Sequence, residues 1–171
     1  KENIRIGLSQ ALSLFQEDTF LSYMESQNRF ASLISASPQN TEIRSLLCMT
    51  YKELWPFSYQ DSADHQVFSN LVQTTRMLNP TSLDSTICEI AQFLALYRTN
   101  EAKLALENGL DRFPTSPVLF LYQGELVATT KDFLSAEAYF IKSAQLWPNW
   151  IKSHYLTALM KSKLKRYSDS A

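Results

Sequence analysis

Three prolines, Pro80, Pro114 and Pro148, stand 34 residues apart, twice over. Each closes a periodic apolar run: Arg76-Met77-Leu78-Asn79-Pro80, Asp111-Arg112-Phe113-Pro114 and Gln145-Leu146-Trp147-Pro148. Proline lacks an amide hydrogen and restricts the residue before it, so a helix stops there. Self-similarity at about 34 residues marks stacked helix-turn-helix units. Phe120 to Pro148 displays the unit most fully. Phe120, Gly124 and Val127 fall on one helical face, and Ala136 and Phe140 on a second. Gly124 and Ala136 are predicted to face each other where two antiparallel helices cross. A bulky residue there would cost roughly 1–3 kcal/mol by overpacking.

On these residues the chain resembles the tetratricopeptide-repeat family. That family's run of aromatic, leucine-glycine, tyrosine, alanine, phenylalanine and proline is met by Phe120, Gly124, Val127, Ala136, Phe140 and Pro148, with Gln123 where leucine is the rule. In the preceding unit Ala102, Leu106 and Pro114 match. Its first helix fits best one residue later, as Ile87, Ile90, Ala91 and Leu94, which implies a turn one residue shorter. The unit before matches through Leu47, Cys48, Tyr51, Phe68, Val72 and Pro80. The resemblance covers about the whole chain and is closest over 83–150. It implies an all-α fold, a right-handed α-solenoid of antiparallel helix pairs with about nine helices, in a single domain over 1–171. The pairs fall at about 3–36, 41–78, 83–112 and 117–146. A capping helix at 150–167 covers the last pair and turns a polar face to water.

Pro38 to Pro80 is 42 residues, eight more than the repeat. A solenoid core has no room for extra residues, so the excess is predicted as an inserted turn at 54–61. Trp55, Phe57 and Tyr59 make that turn aromatic. It either folds over the edge of the core or forms a docking lip, since aromatics dominate interface hot spots. Further turns are expected at Arg98-Thr99-Asn100 and Thr129-Thr130-Lys131-Asp132. Asp18 or Thr19 is expected to cap the second helix.

Chemistry is scarce. His65 and His154 have no ligand-spaced neighbours, which excludes an ordinary metal site. No Cys-x-x-Cys, nucleophile elbow or phosphate-cradling glycine loop is present. The chain is read as non-enzymatic and without cofactors. Cys48 and Cys88 lie in apolar helical runs and are predicted to be buried free thiols, compatible with a reducing, cytoplasmic setting. A net charge of −1 gives no overall pull toward nucleic acid, and no apolar run is long enough to cross a membrane. The chain lacks an initial methionine, so an excised piece of a longer protein is the expectation. A remote alternative is nucleic-acid contact by Lys152, Lys161, Lys163, Lys165 and Arg166. No aromatics alternate with these residues, which favours a solvated capping face.

The resemblance implies a concave groove, lined by the first helix of each pair, in which a partner segment lies. Carried over by register, the groove takes Glu42, Ser45, Met49 and Lys52; Ser85, Cys88 and Gln92; Val118, Leu121, Glu125 and Ala128; and Lys152, Tyr155 and Leu159. Leu121 and Glu125 replace the family's clamp for a C-terminal carboxylate, which argues against that ligand. The expected function is a monomeric scaffold binding another protein in this groove. The alternative is a regulatory or structural module that packs on neighbouring domains or self-associates through Trp55, Phe57 and Tyr59.

Overall fold

In a computed structural model of the protein, residues 2–58 and 61–168 are described, apart from the side chains of Ser62, Tyr167 and Ser168. Among the described residues there are nine α-helices and no strand. They are α1 (Glu2–Gln16), α2 (Phe20–Ala36), α3 (Thr41–Ser58), α4 (Ser62–Leu78), α5 (Leu83–Ala95), α6 (Thr99–Arg112), α7 (Pro117–Thr129), α8 (Phe133–Leu146) and α9 (Ile151–Ser168). The chain divides into two compact units, Lys1–Ala105 and Leu106–Ala171.

The helix limits carry the repeat. α5, α7 and α9 begin at Leu83, Pro117 and Ile151, 34 residues apart, and α4, α6 and α8 end at Leu78, Arg112 and Leu146 at the same interval. The third pair therefore keeps the register of the fourth. The one-residue slip expected at Ile87–Leu94 is absent, because the turn between α5 and α6 occupies 96–98, as long as that at 130–132 between α7 and α8. Ile90, not Ala91, holds the place of Gly124, and Thr99 is already helical. Each described turn within a pair has one residue in the left-handed region: Asp18 (φ 53°), Tyr97 (φ 56°) and Lys131 (φ 65°). That conformation reverses the chain within three residues. Thr19 caps α2 in a reciprocal box with Ser22. Asp18 accepts a hydrogen bond from the Tyr23 hydroxyl.

The eight extra residues of the second pair do not make a looped insertion. α3 has 18 residues against 13 in α5 and α7, and α4 has 17 against 14 in α6 and α8. Residues 54–58, expected in a turn, are the last turn of α3, with Pro56 inside the helix. The reason is apolar continuity. Leu54 and Trp55 prolong the inward stripe of α3 and are buried. The Trp55 ring packs at 5.5 Å from Phe68 and 4.9 Å from His65, and Tyr51 stacks on Phe68 at 5.2 Å. A proline so near a helix end removes one backbone bond, which this burial outweighs. Tyr59 lies outside the described residues.

Cys48 and Cys88 are buried, as expected, but they are not free. They form a disulfide between α3 and α5, with Cα atoms 5.1 Å apart and a sequence separation of 40. Beside it, Thr41 and Ser45 of α3 donate hydrogen bonds of 2.6 and 3.1 Å to the Asp84 carboxylate of α5. The cytoplasmic expectation thereby loses the free thiols it leaned on, since disulfides persist mainly in oxidising compartments.

In the second unit α7 and α8 pack with Gly124 against Phe140. A Cβ on Gly124 would lie 2.6 Å from Phe140 Cε1, so only glycine fits without a shift. Ala136 and Phe140 are buried alongside. α9 packs on α8 through the fully buried Trp150 and a 2.9 Å hydroxyl pair, Ser143–Ser153. In the first unit α1 meets α2 more loosely: a Cβ on Gly7 would lie 3.0 Å from Leu33 Cδ2, the tip of a flexible chain.

Candidate interaction surfaces

The residues expected to line a groove divide by burial. Met49, Val118, Leu121 and Trp55 are core residues, at most 5% exposed. They shape helices from within and offer almost no surface for contact. Ser45 and Cys88 are likewise buried, in the Asp84 cluster and the disulfide. With the register corrected, the α5 positions matching Val118, Leu121 and Glu125 are Asp84, Ile87 and Ala91, and Ile87 and Ala91 are buried too. Gln92 is half-buried and donates to Ser69 Oγ at 2.9 Å.

Glu42 is exposed, whereas Lys52, Glu125 and Lys152 are held in ion pairs inside their units. Lys52 Nζ sits 3.0 Å from Glu53, both side chains about 10% exposed. Lys152 of α9 sits 3.0 Å from Glu125 of α7, with side chains 12% and 19% exposed. Pairs this sheltered from water are screened less than surface pairs, so Glu125–Lys152 ties α7 to α9. On the same face of α9, Tyr155 is 58% exposed and Leu159 half-buried. Tyr155, Leu159, the half-buried Ala128 and this ion pair are the expected groove residues of the second unit that lie outside its core.

The first unit presents a different surface. Phe57, at the end of the elongated α3, is 74% exposed and meets Phe20 edge-on at 6.0 Å. Leu21 (76%) and Met24 (40%) of α2 adjoin Phe20 in sequence and at helical spacing. Sequence reasoning named Phe57 and missed Phe20, Leu21 and Met24. The signal was available: three apolar residues in the first five of α2, a run broader than one buried stripe requires.

The basic end of α9 has neighbours of its own. Lys161 lies 3.9 Å from Glu137, and the Lys163 ammonium stands 5.2 Å over the Phe133 ring. Among the described residues no group of three or more His, Cys, Asp or Glu side chains could hold a metal, and no helix is long and apolar enough to cross a membrane. Two carboxylates are held below their usual range at helix starts. Asp132 is held there by hydrogen bonds from the Ser135 side chain and backbone, and Glu101 by its own backbone amide and by Arg98.

No family model matches the chain, and no curated protein matches it. A solved structure does: the crystal structure of TTC0263, a thermophilic TPR protein of Thermus thermophilus, superposes with a TM-score of 0.57. The match covers 79% of this chain and 71% of that one, at 14% identity. The fold is that of a tetratricopeptide-repeat protein. An identity this low carries the fold and nothing of ligand or role. A close helix crossing does fall at Gly124, but the side chain that meets it is Phe140 and not Ala136, which was predicted to face it.

Proposed function

We propose that this chain is a non-enzymatic scaffold, acting as one interaction domain over residues 1–171, that binds a segment of another protein. The observation that carries this reading is the exposed Tyr155 with Leu159, set beside the sheltered Glu125–Lys152 pair on α7 and α9. An aromatic next to a fixed ion pair offers both apolar area and a polar register mark, the make-up of an interface hot spot. The partner segment lies along the first-helix face and is extended or helical. Lys52 belongs to the corresponding face of the first unit, and Gln92, with the register corrected, matches Leu126 and leaves that face. The test is capture of a partner from the source cell, compared between the native chain and Tyr155→Ala with Leu159→Ser. Loss of one specific partner, with circular dichroism unchanged, supports the reading. Retention of every partner refutes it.

A second reading rests on its own observation, the exposed Phe20–Phe57 pair with Leu21 and Met24. Here the chain self-associates or packs on a neighbouring domain through the aromatic end of the second pair. Light scattering across a concentration series separates the two. A monomer at all concentrations favours the first reading. A dimer abolished by Phe57→Ala favours the second.

A further inference from the structure

We propose that the side of α9 that carries His154, Thr157, Ala158 and Lys161 is a docking site for an amphipathic helix of a partner protein. That helix begins with acidic residues and lays a large apolar side chain against Ala158. A groove of about 360 Å³ opens there, lined by Ile141 and Ala144 of α8 and by His154, Thr157, Ala158 and Lys161 of α9.

The repeat itself says what fits. Gly124 is the eighth residue of α7 and Ala158 the eighth of α9. α8 covers Gly124, placing Phe140 on it, and covers the fourth position as well, where Phe120 stacks with Tyr139 at 6.4 Å. The same positions of α9, His154, Thr157, Ala158 and Lys161, are the ones that line the groove. Ala158 is exposed, and a small residue at that point leaves room for the close approach of a second helix.

Two features fix the chemistry of the occupant. His154, Thr157 and Lys161 stand where α7 carries Phe120, Gln123 and Val127. More polar side chains at two of the three places keep the face wetted when empty, so docking is reversible and not part of folding. A helix that lies on α9 as α8 lies on α7 runs antiparallel to it. It therefore starts beside Lys161, Lys165 and Arg166, of which Lys161 is 65% exposed at its side chain. Acidic residues in a first turn suit both that basic end and the helix dipole.

The probe is a stapled peptide of residues 132–148, the helix already known to fit the equivalent face, carrying Leu134→Glu and Ser135→Glu to make its start acidic. It is titrated into the full 171-residue chain and followed by backbone NMR. The expected result is saturable binding, with shifts confined to 141–145 and 154–161. Ala158→Leu, which fills the groove at an exposed site, weakens binding at least about tenfold. Phe140→Ala in the peptide does the same, and raising the salt weakens binding further. Tyr155→Ala leaves binding unchanged, which separates this site from the proposed first-helix face. The proposal is overturned by no binding at about 1 mM peptide or by binding indifferent to Ala158→Leu. It is also overturned by shifts at Gly124 that report exchange of α8, or by a dimer of the chain itself that Ala158→Leu dissolves.

Discussion

The second and fourth helix pairs are versions of one unit, held in different ways. In the fourth, the eighth residue of α7 is Gly124, and α8 closes over it with Phe140. In the second, the eighth residue of α3 is Cys48, which bonds covalently to Cys88 of α5. The fourth pair thus secures its own two helices by close packing. The second secures a first helix to the next first helix. Accordingly α3 packs mainly on α5 and α2, and less on its own partner α4. The lesson is that the eighth position is a junction whose occupant decides which neighbour a helix is fastened to.

The comparison breaks most easily at Phe140. Phe140→Ala should destabilise the protein by roughly 3–5 kcal/mol in urea unfolding, because it empties the space over Gly124. An unchanged midpoint would show that the α7–α8 contact is not what holds that pair. Next comes the disulfide. Cys48→Ser with Cys88→Ser should cost about 2–4 kcal/mol by freeing the intervening loop in the unfolded chain. Hydrogen exchange should quicken in α3 and α5 and stay slow in α7 and α8. Equal quickening in both regions would erase the distinction drawn here.

The two glycines sharpen it. Gly124→Ala should destabilise by roughly 1–3 kcal/mol, since its methyl meets the Phe140 ring. Gly7→Ala meets only the mobile tip of Leu33, so the helical preference of alanine should win, with a gain of up to about 1 kcal/mol. A loss at both sites would mean the first pair is as tightly packed as the fourth. Phe57→Ala should move stability by less than about 0.5 kcal/mol, its effect confined to association. The smallest effect concerns acid. The folded-state pKa of Asp132 is depressed, so the unfolded chain takes up its proton first. The cap's contribution is present above the ordinary aspartate range and lost as pH falls toward the depressed value. Asp132→Asn should remove that slope from a stability–pH curve.

Much of the fold was legible because prolines and caps are local. The breaks at 36–41, 78–83, 112–117 and 146–151 sit where Pro38, Pro80, Pro114 and Pro148 put them. A close crossing at Gly124 was readable from small residues at helical spacing, but its partner was not: Phe140, one turn beyond Ala136 on α8, fills the place against the glycine. The disulfide was not, because it joins positions 40 residues apart on helices whose contact exists only after stacking. The candidate site was less legible still. Helical periodicity says that Val118, Leu121 and Met49 share faces with polar residues, but not that later packing buries them. The eight-residue excess misled for a related reason: repeat length says that residues are extra but not that they loop out, and the burial of Leu54 and Trp55 kept them helical.

The way the second pair absorbed its extra residues has a consequence for recognition. A periodic stack offers every visitor the same edge several times, so a ligand reading only the edge would slide between equivalent berths. Five more residues on α3 than on α5 carry its tip about 7.5 Å further along the axis. That overhang, with Phe57 near its end, sets the edge of the second pair apart from those of the third and fourth.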